Sequence, residues 1–564
     1  MKLLAAQVAY YLRDTDAREN LQALGRLMVI AFAIVLLFTL LFHVLMLHEG
    51  QRHSWITGLY WTLTVMSTLG FGDITFQGDV GRVFSIVVLM TGIVLLLIVL
   101  PFAFIRFFYA PWLEAQVRAR APRRVPESMT GHVIICELDP VGRGLVARLT
   151  ERGVPYVVVE TDIAAAAELH GDRISVAAGE PDDPTFLLRL GVKRARLVVA
   201  NRDDTVNTGI ALTVNEVAPE TPVAAVSSRD ASEDILEMSG ASAVFPLKRW
   251  LGEHLANRVG GTHAGANVVG AYRDLLVAEV PTRHTPLVKR TLREARLRES
   301  TGVSVVGMWE RGRLVPATPD AAFTDMTVAI VTGTRQQLDD LDDLLSIYDA
   351  NHNPVVVIGA GRVGRAAARA LRAKEVAVNM VEREPALAAR VGTEFTVFEG
   401  DASERELLEA AGLFAAPAVV LTTHDDAMNI YLASYCRHLN PDLRIVSRIT
   451  LERNVESVHR AGADFALSYT ALGVAAVWAH LVGRPLTIMG GDFDLVALPV
   501  TPKLAGRTLA DSGIGAQTGL SVLAIDHDGE VTTSPPPGTV LPAGAHLVVL
   551  GDTSQRAAFD SAFG

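Results

Sequence analysis

Two short stretches of this 564-residue chain hold residue types and spacings that could do chemistry. The first is Thr68-Leu69-Gly70-Phe71-Gly72-Asp73. Its glycines permit backbone conformations that strain other residues, so successive carbonyls can all turn toward one axis. A ring of such carbonyls, one strand from each of four chains, can replace the hydration shell of a potassium ion. The second is Gly359-Ala360-Gly361-Arg362-Val363-Gly364. There the first glycine makes a turn, the second lets backbone approach a pyrophosphate, and the third lets a helix pack on a strand. The helix opening at Arg362 and Val363 offers free N–H groups to phosphates. Glu382, about twenty residues on, stands where a carboxylate takes ribose hydroxyls, which favours NAD, ADP or AMP over a 2′-phosphorylated dinucleotide. Arg383 beside it leaves a phosphorylated ribose open.

The first stretch must be held by the segments around it. Leu27 to Leu47 is an apolar run whose only ionisable residue is His43, and Val83 to Phe104 carries no charge. A hydrocarbon core of about 30 Å needs roughly 20 helical residues, so each can span a bilayer. Between them, Trp55, Ile56, Leu59, Tyr60, Trp61 and Leu63 precede the glycines, which predicts a short helix dipping into the membrane and an extended turn climbing out. Such irregular backbone survives at that depth only if protein buries it or it lines a watery cavity. Pro101 cannot donate to the carbonyl of Leu97, so a weakened or kinked helix is expected there. Lys2, Arg13, Arg18 and Arg26 precede the first span and Arg106, Arg118, Arg120, Arg123 and Arg124 follow the second, against Arg52 and Arg82 between them. The positive-inside rule therefore puts both termini in the cytoplasm, and with few lumenal features and no organelle signal the expected membrane is the inner (plasma) membrane of a bacterium or archaeon.

The net charge of −11 and pI near 5.8 argue against a nucleic-acid partner. The two cysteines, Cys136 and Cys436, lie in apolar runs and form no disulfide framework. Residues 1–24 are expected to form an amphipathic helix on the cytoplasmic face, 25–109 the membrane part, and 110–130 a linker with Pro111, Pro122 and Pro126. Residues 131–349 and 350–564 form an internal repeat with a period of about 220 residues. Each copy opens with an apolar strand, His132 to Cys136 or Pro354 to Ile358, then a turn, an Ala/Arg/Leu-rich helix and a strand ending in acid. That alternation predicts a parallel, doubly wound sheet. Each copy closes with a smaller β-rich unit, from about Leu275 to Val331 and from Asp494 to Leu550.

The first copy departs at its turn, which reads Glu137-Leu138-Asp139-Pro140-Val141-Gly142. Carboxylates at the first two glycine places repel a pyrophosphate and fill its space, so this copy is not expected to bind a dinucleotide in the usual way. Glu160, Asp162, Glu180, Asp182 and Asp183 could instead supply oxygens to a divalent cation such as calcium.

Thr68 to Asp73 resembles the potassium-channel selectivity filter, usually written T-V-G-Y-G-D, with Leu69 for valine and Phe71 for tyrosine. The lost hydroxyl removes one bracing hydrogen bond and implies somewhat looser selectivity. Residues 131–564 resemble two tandem RCK domains, the regulators of potassium conductance. The resemblance implies a membrane α-helical pore of two spans and a re-entrant pore helix, joined to two α/β Rossmann-like units, each with a small α+β C-lobe. It implies a homotetrameric, ligand-gated potassium channel rather than an enzyme. K+ would occupy the filter, NAD or ADP/AMP the second repeat, with Ca2+ the candidate for the first. It places Gly92 at the hinge of the inner helix, although close helix packing explains a membrane glycine equally well. It places Leu97, five residues on, at the narrow part of the cavity, and it brings Asp401, Asp426 and Arg448 to the nucleotide cleft; the neighbouring Leu96 is expected toward lipid. A membrane-tethered NAD-dependent oxidoreductase would need a proton-transfer residue, and no Tyr-x-x-x-Lys pair is placed for it. A regulatory subunit of a potassium transporter would not need its own pore.

Overall fold

The computed structural model describes residues 15–109, 121–259, 266–282, 285–310, 313–324, 327–345, 352–483, 494–551 and 553–564. These divide into two compact units, one holding the apolar segments and Asp162–Arg173, and one, Arg123–Thr161 with Ile174–Gly564, holding the sheets of both repeats.

In the first unit a run of Leu, Ile, Val, Phe and Ala with no proline forms one unbroken helix, α1 (Thr15–His48). Of the surface helix expected over 1–24, residues 1–14 lie outside the described residues, and 15–24 continue into α1 without a break. A second helix, α2 (Trp55–Met66), starts at Ser54, whose Oγ accepts from the Thr57 amide at 3.2 Å. The third, α3 (Asp79–Gly92), continues as wide π turns over Ile93–Val99, a short α stretch Leu100–Phe104, and further π turns over Ile105–Tyr109. The segments Gly25–His48 and Asp79–Phe104 are long and apolar enough to cross a membrane. Aromatic side chains join the three helices: Phe42 of α1 lies 4.9 Å from Trp61 of α2, and Trp61 lies 5.9 Å from Phe84 of α3, centroid to centroid.

The second unit repeats one topology. In the first copy β1 (Val133–Ile135), β2 (Tyr156–Glu160), β3 (Val176–Ala178), β4 (Leu197–Ala200), β5 (Val223–Val226) and β6 (Ala243–Phe245) form a parallel sheet of order β3-β2-β1-β4-β5-β6. The C-lobe sheet that follows is antiparallel, from β7 (Asn267–Tyr272), β8 (Leu275–Pro281), β9 (Ser304–Glu310), β10 (Arg313–Pro316) and β11 (Val328–Gly333). The second copy restates the parallel order with β12 (Val355–Ile358), β13 (Val378–Glu382), β14 (Thr396–Glu399), β15 (Ala418–Leu421), β16 (Arg444–Ile449) and β17 (Phe465–Ser468). Its C-lobe holds β18 (Asp494–Pro499), β19 (Ser521–His527), β20 (Glu530–Thr533) and β21 (His546–Gly551). Central strands are apolar on both faces because helices cover both. The first repeat's packing begins before residue 131: Val125 is buried in its core, and its amide bonds the Arg189 carbonyl.

The repeats exchange helices. The last helix of the first parallel lobe, α5 (Leu247–Asn257), packs on the first helix of the second, α6 (Arg362–Ala373). Reciprocally, α7 (Tyr469–Leu481) packs on α4 (Pro140–Glu151). Glycines permit both approaches. A Cβ at Gly252 would lie 2.5 Å from the Val363 carbonyl oxygen, and one at Gly473 would lie 2.7 Å from a Val141 methyl.

Candidate functional site

The first candidate site begins where α2 ends. The amides of Leu69 and Gly70 both donate to the Thr64 carbonyl, at 2.9 and 3.1 Å, so the chain turns sharply out of the helix. Thr68, Gly70 and Gly72 then all carry positive φ, at 61°, 44° and 72°. This alternation of left-handed with ordinary residues re-aims the peptide planes of a short extended stretch, as the glycine spacing required. Thr68 pays steric strain for it, since non-glycine residues rarely adopt this region. The Trp61 indole donates to the Ile74 carbonyl at 3.1 Å, and the Phe71 ring lies parallel to Tyr60 at 6.4 Å. The Glu49 carboxylate receives the amides of Gln77 and Gly78, at 2.9 and 3.0 Å, and fixes the start of α3. Trp61 was read in the sequence only as part of the short helix, and Glu49 was not singled out. The signal for Glu49 was an acid closing an otherwise uncharged span.

Farther along, Gly92 has ordinary helical dihedrals, φ −61° and ψ −48°. A Cβ there would collide with the carbonyl and Cα of Met66, so its observed role is close packing on the last turn of α2. The Leu100 amide bonds the Leu95 carbonyl, five residues back, just before Pro101. The helix absorbs the missing proline donor by widening into π turns. Leu95 is buried and Leu96 packs against the unit's own core, whereas Leu97 is 58% exposed. Leu96 is partly buried against that core.

The second candidate site is the turn after β12. Gly359 has φ +97°. A Cβ at Gly364 would strike the Gly359 carbonyl, so this glycine serves helix-on-strand packing. A Cβ at Gly361 would meet nothing within 4 Å, which leaves open space over the N-terminus of α6. Val363 is buried in the packing of α6. Glu382, at the end of β13, already accepts from the amides of Ala360 at 2.7 Å and Glu384 at 2.9 Å, so it braces the turn it faces. Arg383 stands 3.8 Å from Asp401, whose carboxyl is held below its usual range by hydrogen bonds from Ser403. The Asp426 carboxylate accepts from the amides of Thr450 and Leu451 and from the Asn454 side chain, at 2.7, 3.0 and 2.8 Å. It pins the segment after β16. Arg448 lies 6.0 Å over the Tyr469 ring, and burial lowers its pKa.

The first repeat keeps the packing glycine and loses the binding ones. A Cβ at Gly142 would strike the Glu137 carbonyl, as at Gly364. Asp139 occupies the place of Gly361. Its Oδ1 accepts from the Gly142 amide at 2.7 Å and the Asn201 side chain at 2.6 Å, so a carboxylate fills the N-terminus of α4. Burial pushes the Asp139 carboxyl up and these two hydrogen bonds oppose it. The expected cation site from Glu160, Asp162, Glu180 and Asp183 is not assembled: among the described residues no three acidic, His or Cys side chains are grouped to hold a metal. Asp162 and Asp183 instead cap their own helices, accepting from the amides of Ala164 and Thr185 at 2.8 Å. Both cysteines are buried, with their thiols pushed up to about 12.

With this geometry in hand, comparison with known proteins is direct. Residues 23–109 match the Ion channel family, 133–246 and 355–469 the TrkA-N domain, and 275–346 and 495–564 the TrkA-C domain. The solved GsuK channel bound to NAD is 34% identical, with 97% of this chain and 99% of that one covered and a TM-score of 0.60. Potassium channel protein 1 of Methanocaldococcus jannaschii is 25% identical over 36% of this chain and 65% of that protein. Probable potassium channel protein 2 of the same organism is 21% identical over 57% of this chain and 96% of that protein.

Proposed function

This chain belongs to the prokaryotic potassium channels that carry paired TrkA-N and TrkA-C domains, and from that premise we propose that its second repeat is the nucleotide sensor of a ligand-gated potassium channel. The observation that carries this reading is the contrast at one position. Open space lies over Gly361 in the second repeat, and a carboxylate fills the equivalent place, at Asp139, in the first. The ligand is NAD or ADP/AMP, a class supported by the NAD in the related GsuK channel. Gly359, Gly361, Arg362, Val363 and Gly364 form its phosphate turn, Glu382 and Arg383 its ribose side, and Asp401 and Arg448 the cleft walls.

Four chains close a ring around one pore, since one chain supplies a single filter strand. The carbonyls from Thr68 to Asp73 take potassium, and Leu97, loosened by Pro101, forms the constriction. Residues 25–109 are the pore domain, in the inner membrane with both termini cytoplasmic. Nucleotide binds open and closed rings with different affinity, and the segment after α3 carries the difference to the inner helix. Bi-ionic recording of the protein in planar bilayers tests the pore. A reversal potential displaced strongly toward that of potassium is expected, and one near zero for potassium against sodium would contradict it.

A further inference from the structure

Between α5 of the first repeat and α6 of the second lies a cleft of about 540 Å³, a size suited to a small ligand. Its walls are rich in cations from both repeats. Several have partners: Arg229 pairs with buried Asp204 at 3.1 Å, Arg249 with Glu233 at 2.7 Å, and Arg369 with Glu394 at 2.9 Å. Three do not. Among the described residues Lys248, Arg362 and Arg365 have no carboxylate within ion-pair distance. Lys248 reaches only the Ser228 hydroxyl, at 3.4 Å, and Arg362 only the Ser228 carbonyl, at 3.0 Å. The Arg365 Nε is buried and has no hydrogen-bond partner.

Two cations from opposite repeats thus converge on one serine without an anion between them. Like charges placed together in a half-buried setting repel. Burial first, then Arg362 and Arg448, hold the Lys248 pKa below its usual value. Burial, then Arg390, Arg369 and Arg362, do the same to Arg365. Arg362 and Arg365 fall on one stripe of α6 with Arg369, so the positive wall runs down the helix from the glycine turn.

We propose that this inter-repeat cleft is a second anion site, which binds a small polyphosphate-type anion between Lys248 of the first repeat and Arg362 and Arg365 of the second. Guanidinium forks and an ammonium are the groups that hold phosphate oxygens. Because the two walls belong to different repeats, such a ligand fixes their relative position and gives the ring a second input besides the glycine turn. Asp230 and Glu253 also line the cleft, each engaged with Arg249, at 3.9 and 3.7 Å; the site rests on the three cations they do not reach and does not require a nucleotide at Gly361.

The test is calorimetry of inorganic tripolyphosphate against the full-length protein in detergent, at low and high salt. In the Gly361→Asp background, where the glycine turn is closed to phosphate, tripolyphosphate binding is expected to persist, and Lys248→Gln and Arg365→Gln in that background are each expected to weaken it by about tenfold. High salt should weaken it further. Binding unchanged in both glutamine variants, or lost in Gly361→Asp, would overturn the proposal. Thermal midpoints matching the wild type show that the variants are folded, and Lys248→Met serves as a second replacement of the ammonium. Loss of nucleotide binding in Gly361→Asp with tripolyphosphate binding retained separates this site from the nucleotide site.

Discussion

Gly92 lies against Met66 so closely that any side chain at 92 would collide with the Met66 backbone. Met66 ends α2, two residues before Thr68 opens the carbonyl stretch. The inner helix therefore rests directly on the support of the filter. Overpacking a close contact costs about 1–3 kcal/mol, and here the neighbour is backbone that cannot rotate away. Gly92→Ala should lower the thermal midpoint of the potassium-loaded protein and its unitary conductance together. A variant that loses neither would show that the contact is loose in the assembled channel.

Leu97 turns away from its own chain's core, whereas Leu95 and Leu96 turn into it. Four leucines meeting on an axis would stop ions by dewetting. Leu97→Asp is expected to give a pore that stays open without ligand, whereas Leu96→Asp should instead destabilise the unit by burying a charge. Single-channel recording at zero nucleotide distinguishes them. Wild-type open probability in Leu97→Asp would move the gate elsewhere, to the filter.

His254, on α5, has its pKa pushed down to about 3 by burial, then by Arg258 and Lys374, and its Nδ1 has no hydrogen-bond partner. The unfolded chain takes up this proton near pH 6.5, but the folded chain resists it down to about 3. Stability present above pH 6.5 is therefore lost as the pH falls, by about 1.4 kcal/mol for each unit below 6.5. Between pH 7.5 and 5.5 the thermal midpoint of the wild type should fall further than that of His254→Gln. Equal falls would mean that His254 is protonated in the folded state.

Much of this was legible in the sequence because apolar runs, glycine turns and an internal repeat all specify one backbone pattern. The two parallel sheets follow from β1 and β12 and what succeeds them, and the loss of the first nucleotide turn follows from Glu137 and Asp139. Carboxylates were harder to read. Sequence alone does not separate an acid free to face a ligand from one engaged by nearby backbone and side-chain donors, as Asp426 is. Asp183, followed by Pro184 and Thr185, carried the pattern of a helix cap, and that local chemistry prevailed over the cation reading. The π turns around Pro101 depend on how the helix redistributes one missing donor, which spacing does not encode. The pairing of α5 with α6 is a contact between distant segments, visible in sequence only as two helices with glycines.

The account stands most directly on nucleotide control through the second repeat. The decisive measurement is open probability in potassium-conducting bilayers as NAD or ADP is added to the cytoplasmic side of wild type, Gly361→Asp and Asp139→Asn. A side chain at 361 fills open space without touching the fold, so Gly361→Asp should conduct potassium at the wild-type unitary level and lose its response to nucleotide, while Asp139→Asn keeps the response. A full nucleotide response in Gly361→Asp would contradict the account.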